Sequence, residues 1–362
     1  MGYEQFLSRA ESAWMKGDGP ESDIVVSSRV RLARNLREYP FPILAVDSQA
    51  QAVREQVLSA LPHIVAPGAE SFVPIRLEEL SELEKRILME KHLVSPNLIE
   101  GSRYGGVILT PSESVSIMIN EEDHLRIQCL SSGAQLAETW RMASQLDDAF
   151  EAQLDYAFDE ELGYLTSCPT NVGTGIRSSV MMHLPALVMT EQIGRIISAI
   201  SQVGLVVRGI YGEGTEALGN LFQVSNQITL GQSEEEIIDN LNSVVKQIVL
   251  QERRAREQLF EQSRWKLEDR IFRSWGVLNH ARVMDTKEAA GRLSNVKLGI
   301  DLGLLPKVSK GILNELLVMI QPGFLQKWAG TRLSPEERDV RRAALIRERL
   351  ALEKHEHGGA AS

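Results

Sequence analysis

Four segments of the 362-residue sequence hold the residue types that move charged groups. Ser27-Ser28-Arg29-Val30-Arg31 closes a run of strand-forming residues that begins with Ile24, Val25 and Val26. In extended backbone Arg29 and Arg31 leave on the same side, so two guanidinium forks can meet one polyanion. Asn120-Glu121-Glu122-Asp123-His124, followed by Arg126, sets three carboxylates in a row. Adjacent carboxylates raise one another's proton affinity and suit a cation, a metal or an abstractable proton. Cys168 stands between Ser167 and Pro169-Thr170, ahead of a glycine-rich turn that leads into Arg177. An electropositive surrounding of that kind favours a thiolate, whereas most lone cysteines are buried small hydrophobes. Last, Arg208-Gly209-Ile210-Tyr211-Gly212-Glu213-Gly214-Thr215-Glu216 reads as a glycine-rich flap with Glu213 and Glu216 as its chemical groups. The phosphate-loop string G-x-x-x-x-G-K-S/T is absent, as are the H-R-D and D-F-G strings of protein kinases.

The elements that must hold these segments follow from period and punctuation. Ile24 to Val30 reads as a strand, and 47–61 and 76–93 read as helices because apolar positions recur at three and four. Val115, Ile117 and Ile119 alternate with polar neighbours, as do Leu125, Ile127 and Cys129, which predicts a hairpin joined by residues 120–124. A helix over 134–158, a strand over 178–189, a helix over 190–202 and strands at Leu205–Ile210 and 221–230 complete this part. Hairpins outnumber βαβ units, so the expected class is α+β, an antiparallel sheet flanked by helices. Beyond Gly231 the pattern is helical. Ser233 with Glu236 forms a capping box for a helix that reaches Arg256, and further helices are expected at 262–280, 286–302, 309–320 and 334–354. The start at Ser334-Pro335-Glu336-Glu337 combines a capping serine, a first-turn proline and two acids against the helix dipole. The expected organisation is a catalytic domain over 1–254, an all-helical C-terminal domain over 255–350 and a flexible tail over 351–362.

Composition narrows the class. Lys plus Arg number 39 against 49 Asp plus Glu, a net charge of −10, which argues against general affinity for nucleic acid or anionic membrane. The longest apolar runs, such as Leu184 to Met189, fall far short of the roughly 18 residues that cross a bilayer. Met1 to Asp23 is acidic and lacks the basic and apolar regions of a secretory signal, and two cysteines make no disulfide framework. A cytoplasmic protein is expected.

In order and spacing, SSRVRLARN at 27–35, NEEDHLRI at 120–127, CPTNVGTGIRSSV at 168–180 and RGIYGEGTE at 208–216 resemble the guanidino (phosphagen) kinases. The resemblance spans residues 24–254 and implies transfer of a phosphoryl group from ATP, with Mg²⁺, to a guanidinium. It assigns Arg29, Arg31, Arg126 and Arg177 to the phosphates. Further nucleotide contacts are implied at Ile24, Val25, Val26, Ser27, Ser28, His92, Ser178, Ser179, Val180 and Met181, and at Arg208, Gly209, Ile210, Tyr211, Gly212 and Glu213. Tyr211 stands where metabolite kinases carry an ATP-binding arginine, and Arg208 is the substitute. Glu122 is implied on the acceptor, Glu121 or Glu213 as a second anchor, and Cys168 beside the guanidinium.

Two features set this chain apart from the metabolite kinases. The first motif begins at Ser27, leaving no room for the helical domain that those enzymes carry ahead of it, and a helical domain follows instead. That arrangement resembles the bacterial branch of the family that phosphorylates arginine side chains in proteins. It implies a role in marking proteins for a Clp protease under heat stress, with a zinc-containing activator of the McsA type, ClpC/ClpP and a heat-shock repressor as partners. It also implies a phosphoarginine site at Arg338, Asp339, Arg341, Arg342 and Ala343, and a homodimer or higher oligomer formed through the helical domain. Neither a resident metal site nor a nucleic-acid or membrane partner is expected. A kinase of free arginine and a phosphoarginine-binding adaptor without turnover stand as the alternatives; the complete carboxylate and arginine sets disfavour the adaptor.

Overall fold

The computed structural model describes residues 2–10, 12–209, 217–305 and 310–358, so Ile210, Tyr211, Gly212, Glu213 and Glu216 of the expected flap lie outside the described residues. The strands are β1 (Val25–Arg34), β2 (Val73–Arg76), β3 (Gly106–Leu109), β4 (Val115–Ile119), β5 (Leu125–Ser132), β6 (Phe158–Asp159), β7 (Gly163–Tyr164), β8 (Ile176–His183), β9 (Leu205–Gly209) and β10 (Leu221–Asn226). The helices are α1 (Glu4–Ser8), α2 (Asp47–Ala60), α3 (Glu82–Glu90), α4 (Pro96–Gly101), α5 (Leu136–Glu151), α6 (Pro185–Met189), α7 (Ile193–Gln202), α8 (Glu234–His280), α9 (Thr286–Asp301), α10 (Lys310–Met319), α11 (Pro322–Ala329) and α12 (Pro335–Gly358). Eight strands form one antiparallel sheet in the order β2-β3-β4-β5-β1-β8-β10-β9, and β6 pairs with β7 alone. No described helix is long and apolar enough to cross a membrane.

Side-chain alternation gives the sheet two unlike faces. Val30, Leu32, Ile117, Ile127, Cys129, Ile176 and Val180 form one core with Leu146 and Phe150 of α5 and Ile238, Leu241 and Val245 of α8. The opposite face carries Arg29 and Arg31 of β1, Arg126 and Gln128 of β5, Arg177 and Ser179 of β8, and Gln223 of β10, brought level by the strand registers. A second core joins Val26, Met118, Leu130 and Leu221 of the sheet to Leu267 and Ile271 of α8, Leu293 and Leu298 of α9, and Phe324 and Ile346 beyond.

Several expected boundaries move, each for a long-range reason. Residues 73–76 pair with β3 as a strand, so the helix expected over 76–93 shortens to α3, opened by a Ser81–Glu84 capping box. The helix expected over 134–158 ends at Glu151. The strand expected over 178–189 stops at His183, and Pro185 starts α6, whose first amides, from Ala186 and Leu187, donate to the Glu252 carboxylate at 3.1 and 3.0 Å. The last strand stops at Asn226 rather than 230. The helices expected over 233–256 and 262–280 are one helix, α8, non-helical only at Ser263 (φ −141°) and running through the expected domain boundary. α11 was not expected.

Glu252 is fully buried, accepts those two amide bonds and pairs with Arg256 Nε at 2.9 Å. Burial pushes its carboxyl up, and Arg256 with the amides opposes this. Glu252→Ala should destabilise the fold by about 3 kcal/mol, because it leaves the first amides of α6 without their acceptor and the buried Arg256 with only Asp23 and the more distant Asp301. Urea unfolding monitored by circular dichroism would check this; a midpoint unchanged from wild type would contradict it.

Candidate active site

Arg31 on β1 lies directly opposite Arg177 on β8, with Arg126 on the diagonal through the β1–β5 register. Like charges facing each other across a sheet destabilise it unless something negative lies between them. Burial first, then Arg29 and Arg126, hold the Arg31 guanidinium well below its ordinary value, and its buried Nε has no hydrogen-bond partner among the described residues. Arg177 is likewise lowered by burial and by Arg208. The neighbouring guanidinium groups are aimed by neutral acceptors. Arg29 donates to Ser179 Oγ (3.2 Å) and Gln223 Oε1 (2.8 Å). Arg177 donates to Asn171 Oδ1 and to the carbonyl oxygens of Thr170, Asn226 and Gln227. Arg208, exposed at the end of β9, pairs in register with Gln223.

The β4–β5 connection shares out its carboxylates. Glu121 is buried and accepts from Ser95 Oγ at 2.6 Å, Arg126 Nη1 at 2.8 Å and the Glu122 amide at 2.8 Å. Glu122 is half-exposed and meets only the other fork of Arg126, at 3.1 Å. Burial pushes the Glu122 carboxyl up, with Arg126 opposing and Asp123 and Glu121 adding to the rise. Asp123 is fully buried and accepts from Asn35 Nδ2 and the Ser167 amide, both at 2.7 Å, which ties the Cys168 segment to this connection. His124 accepts from the Leu36 amide at Nδ1 (3.0 Å) and donates from Nε2 to Pro40 O (3.1 Å); burial holds its pKa down to about 4, so the ring is neutral. Of the three carboxylates read together from the sequence, Asp123 is spent on architecture.

Cys168 is half-buried, with Sγ 3.1 Å from Thr170 Oγ1, and it favours the charged form of Arg177, as Glu122 does. His92 sits at φ +60° beside Lys91, which is buried against Glu113 and the carbonyl oxygens of Phe6 and Arg9. The His92 ring is pushed down to about 3 by burial and by Arg29, and stands 5.5 Å from the Trp14 ring. Arg29, Arg31 and His92 line a cleft of about 460 Å³ whose far wall is Thr286, Gln321 and Pro322 from the C-terminal helices. Glu90 holds that wall by accepting the amides of Gly323 and Phe324.

Some implied nucleotide residues do not line the cleft. Ile24, Val25, Val26 and Val180 are core, 0–2% exposed. Ser28 Oγ donates to Gly133 O and Ser178 is buried beneath Asn226, so both brace the strands. Ser27 and Met181 border a smaller hollow with His92 and Gln223, and Gly209 ends β9. Reading from sequence missed Ser95, Asn171, Gln223 and Asn226, the neutral partners of the charged groups; only the alternation of Gln223 with Ser225 hinted at one of them.

On α12 the expected phosphoarginine residues separate. Arg342 is buried and donates to Ile320 O and Met284 O at 2.9 Å while pairing with Asp339, and Ala343 is core. These two are structural ties in this chain, because their side chains turn inward. Arg338, Asp339 and Arg341 keep accessible surface, with Arg341 stacked 3.7 Å over the Trp328 ring.

A positive sheet face that ends, among the described residues, at the half-exposed carboxylate of Glu122 is compatible with phosphoryl transfer to a cationic acceptor. The ATP:guanido phosphotransferase C-terminal catalytic domain matches residues 52–255, and the chain belongs to that family. The crystal structure of a lombricine kinase shares the fold, with a TM-score of 0.56 over 68% of this chain and 69% of that one at 24% identity. The protein-arginine kinase McsB C-terminal domain matches residues 264–359. The protein-arginine kinase of Brevibacillus brevis is 61% identical over 97% of this chain and 99% of its own, and that of Bacillus subtilis 57% over 98% and 97%. Within its family the chain is a protein-arginine kinase.

Arg31→Met should raise the melting temperature of the nucleotide-free enzyme by removing a half-buried like charge, and weaken ATP binding by roughly 10- to 150-fold through loss of a charge-assisted contact. Thermal melts and isothermal titration on one preparation would check both; a lower melting temperature with unchanged affinity would contradict the reading.

Proposed function

We propose that the enzyme transfers the γ-phosphoryl group of ATP in line to the guanidinium of an arginine side chain held by Glu122. The observation that carries this reading is the half-exposed carboxylate of Glu122 at the end of the arginine array. A guanidinium is protonated at neutral pH, with a pKa above about 12, and is a poor nucleophile. Glu122 grips it, aims one nitrogen at phosphorus and accepts its proton as the N–P bond forms and the bond to the ADP oxygen breaks. Arg29, Arg31, Arg126 and Arg177 stabilise the charge carried by the phosphoryl group and left on ADP. Glu121 positions Arg126, and Cys168 with Asp123 shapes the acceptor side without covalent chemistry. Mg²⁺ would accompany the nucleotide, since phosphate oxygens and water suit a hard cation. Bound there, Mg²⁺ supplies charge neutralisation.

The finer biology rests on the additional helical domain. Phosphoarginine would dock at Arg338, Asp339 and Arg341, and its binding would favour one conformation or assembly over another. Phosphorylated proteins would pass to a ClpC/ClpP protease in a heat-stress response, with an activator of the McsA type and self-association through α8–α12. This reading is supported by the added domain and by the accessible arginines of α12.

Incubation with Mg-ATP and either casein or free arginine tests the function: acid-labile phosphate should appear on casein. Glu122→Gln should abolish transfer and leave ATP affinity nearly intact; retained turnover would remove Glu122 as the base. Because burial raises the Glu122 carboxyl, and only its ionised form takes a proton, wild-type turnover should fall as the pH drops through a value above the ordinary carboxylate range. A pH–rate profile with its acid limb at or below that range would contradict the role.

A further inference from the structure

We propose that the segment from Pro40 to Val46, with the groove behind it, docks the polypeptide that carries the acceptor arginine and selects an apolar residue beside that arginine. The proposal deepens, and rests on, the reading of Glu122 as the acceptor carboxylate. A groove of about 570 Å³ runs from Glu122 and Asn120 past Asn97 and Arg103 of the α4 region to Pro42 and Ile43. Ile43, which lines it, is 84% exposed, and the neighbouring Leu44 and Val46 are 75% and 54% exposed. One exposed apolar side chain needs no explanation, but three within four positions, at the mouth of a groove holding a reactive carboxylate, mark a contact surface.

The segment is built rather than loose. The amides of Leu44 and Ala45 donate to Phe41 O, the Arg103 guanidinium donates to Ala45 O, and the Val46 amide donates to Gln49 Oε1. Its base is pinned by His124, whose neutral ring bonds Leu36 and Pro40 and meets Tyr39 edge-on at 6.3 Å. His124 stands two residues from Glu122, so one connection fixes both the apolar patch and the carboxylate. A surface ordered in advance loses little entropy on docking. Charge fits the same occupant: Glu100, Glu121 and Glu122 border the groove, Arg126 is paired with the latter two, and Arg103 is turned to Ala45 O and lies 3.9 Å from Asp47. A cationic segment with apolar neighbours is thereby favoured. In folded proteins such neighbours are mostly buried, so the favoured substrate class is the unfolded or loosened chain.

Two peptides of equal length and charge, one with leucine on both sides of its single arginine and one with glycine, test this against wild type and the Ile43→Ser/Leu44→Ser double variant. Wild type should show kcat/KM roughly tenfold higher for the leucine peptide. The double variant should lose that preference while keeping the wild-type KM for ATP and wild-type turnover of the glycine peptide. Ile43→Leu should retain the preference. Persistence of the preference in the double variant, or an equal loss with both peptides, would overturn the proposal. So would a change in mass by light scattering, which would make the patch a surface between copies of this chain. Wild type silent on both peptides and on casein would instead overturn the Glu122 reading, and the proposal with it.

Discussion

Repulsion between Arg31 and Arg177, placed opposite each other on neighbouring strands, is the constraint around which the catalytic face is organised. The protein restrains these charges without cancelling most of them. Arg29 and Arg177 bond to amide, hydroxyl and carbonyl oxygens, which fix direction without neutralising the positive charge. Arginines with architectural roles are treated in the opposite way. Arg34 is neutralised by Asp147 under the Tyr164 ring, and Arg256 by Glu252. Arg126 lies between these cases, with one fork on Glu121 and the other on Glu122. A prearranged positive face needs little reorganisation when charge moves during transfer.

The same economy governs the β4–β5 connection. Asp123 and His124 have buried partners far away in the chain, and Glu121 anchors Arg126, which leaves Glu122 with an accessible oxygen. One loop therefore supports a reactive group because its neighbours are immobilised. Removing any of the three supports would alter where the Glu122 carboxylate points before it altered its chemistry.

Much of this was legible in the sequence because alternation at period two is local: Arg29 with Arg31, and Val115 with Ile117 and Ile119, declare their faces without further information. The four motif strings carried the family. What local pattern could not show were contacts closed by the fold. Leu184 to Met189 reads equally as a strand or a helix; Pro185 opens a helix there because Glu252, well downstream, caps it. Residues 73–76 become a strand through pairing with β3. Arg342 looked like a ligand at helical spacing with Arg338, but the carbonyl oxygens of Met284 and Ile320 lie beneath it. The inward turn of Ile24 to Val26, in a segment tied by resemblance to nucleotide, was likewise decided by packing.

The second hydrophobic core, which joins Val26, Met118 and Leu221 of the sheet to Leu293, Phe324 and Ile346 of the C-terminal helices, has a bearing on how this enzyme can be divided. α8 enters both cores, contributing Leu241 and Val245 to one and Leu267 and Ile271 to the other. Neither half retains a closed apolar interior when the helix is cut. The two sequence regions are accordingly expected to melt as one calorimetric unit rather than as two beads on a string. For recombination between relatives, crossover points near residue 255 are then the costly ones, and the additional helices descend with the sheet they cover.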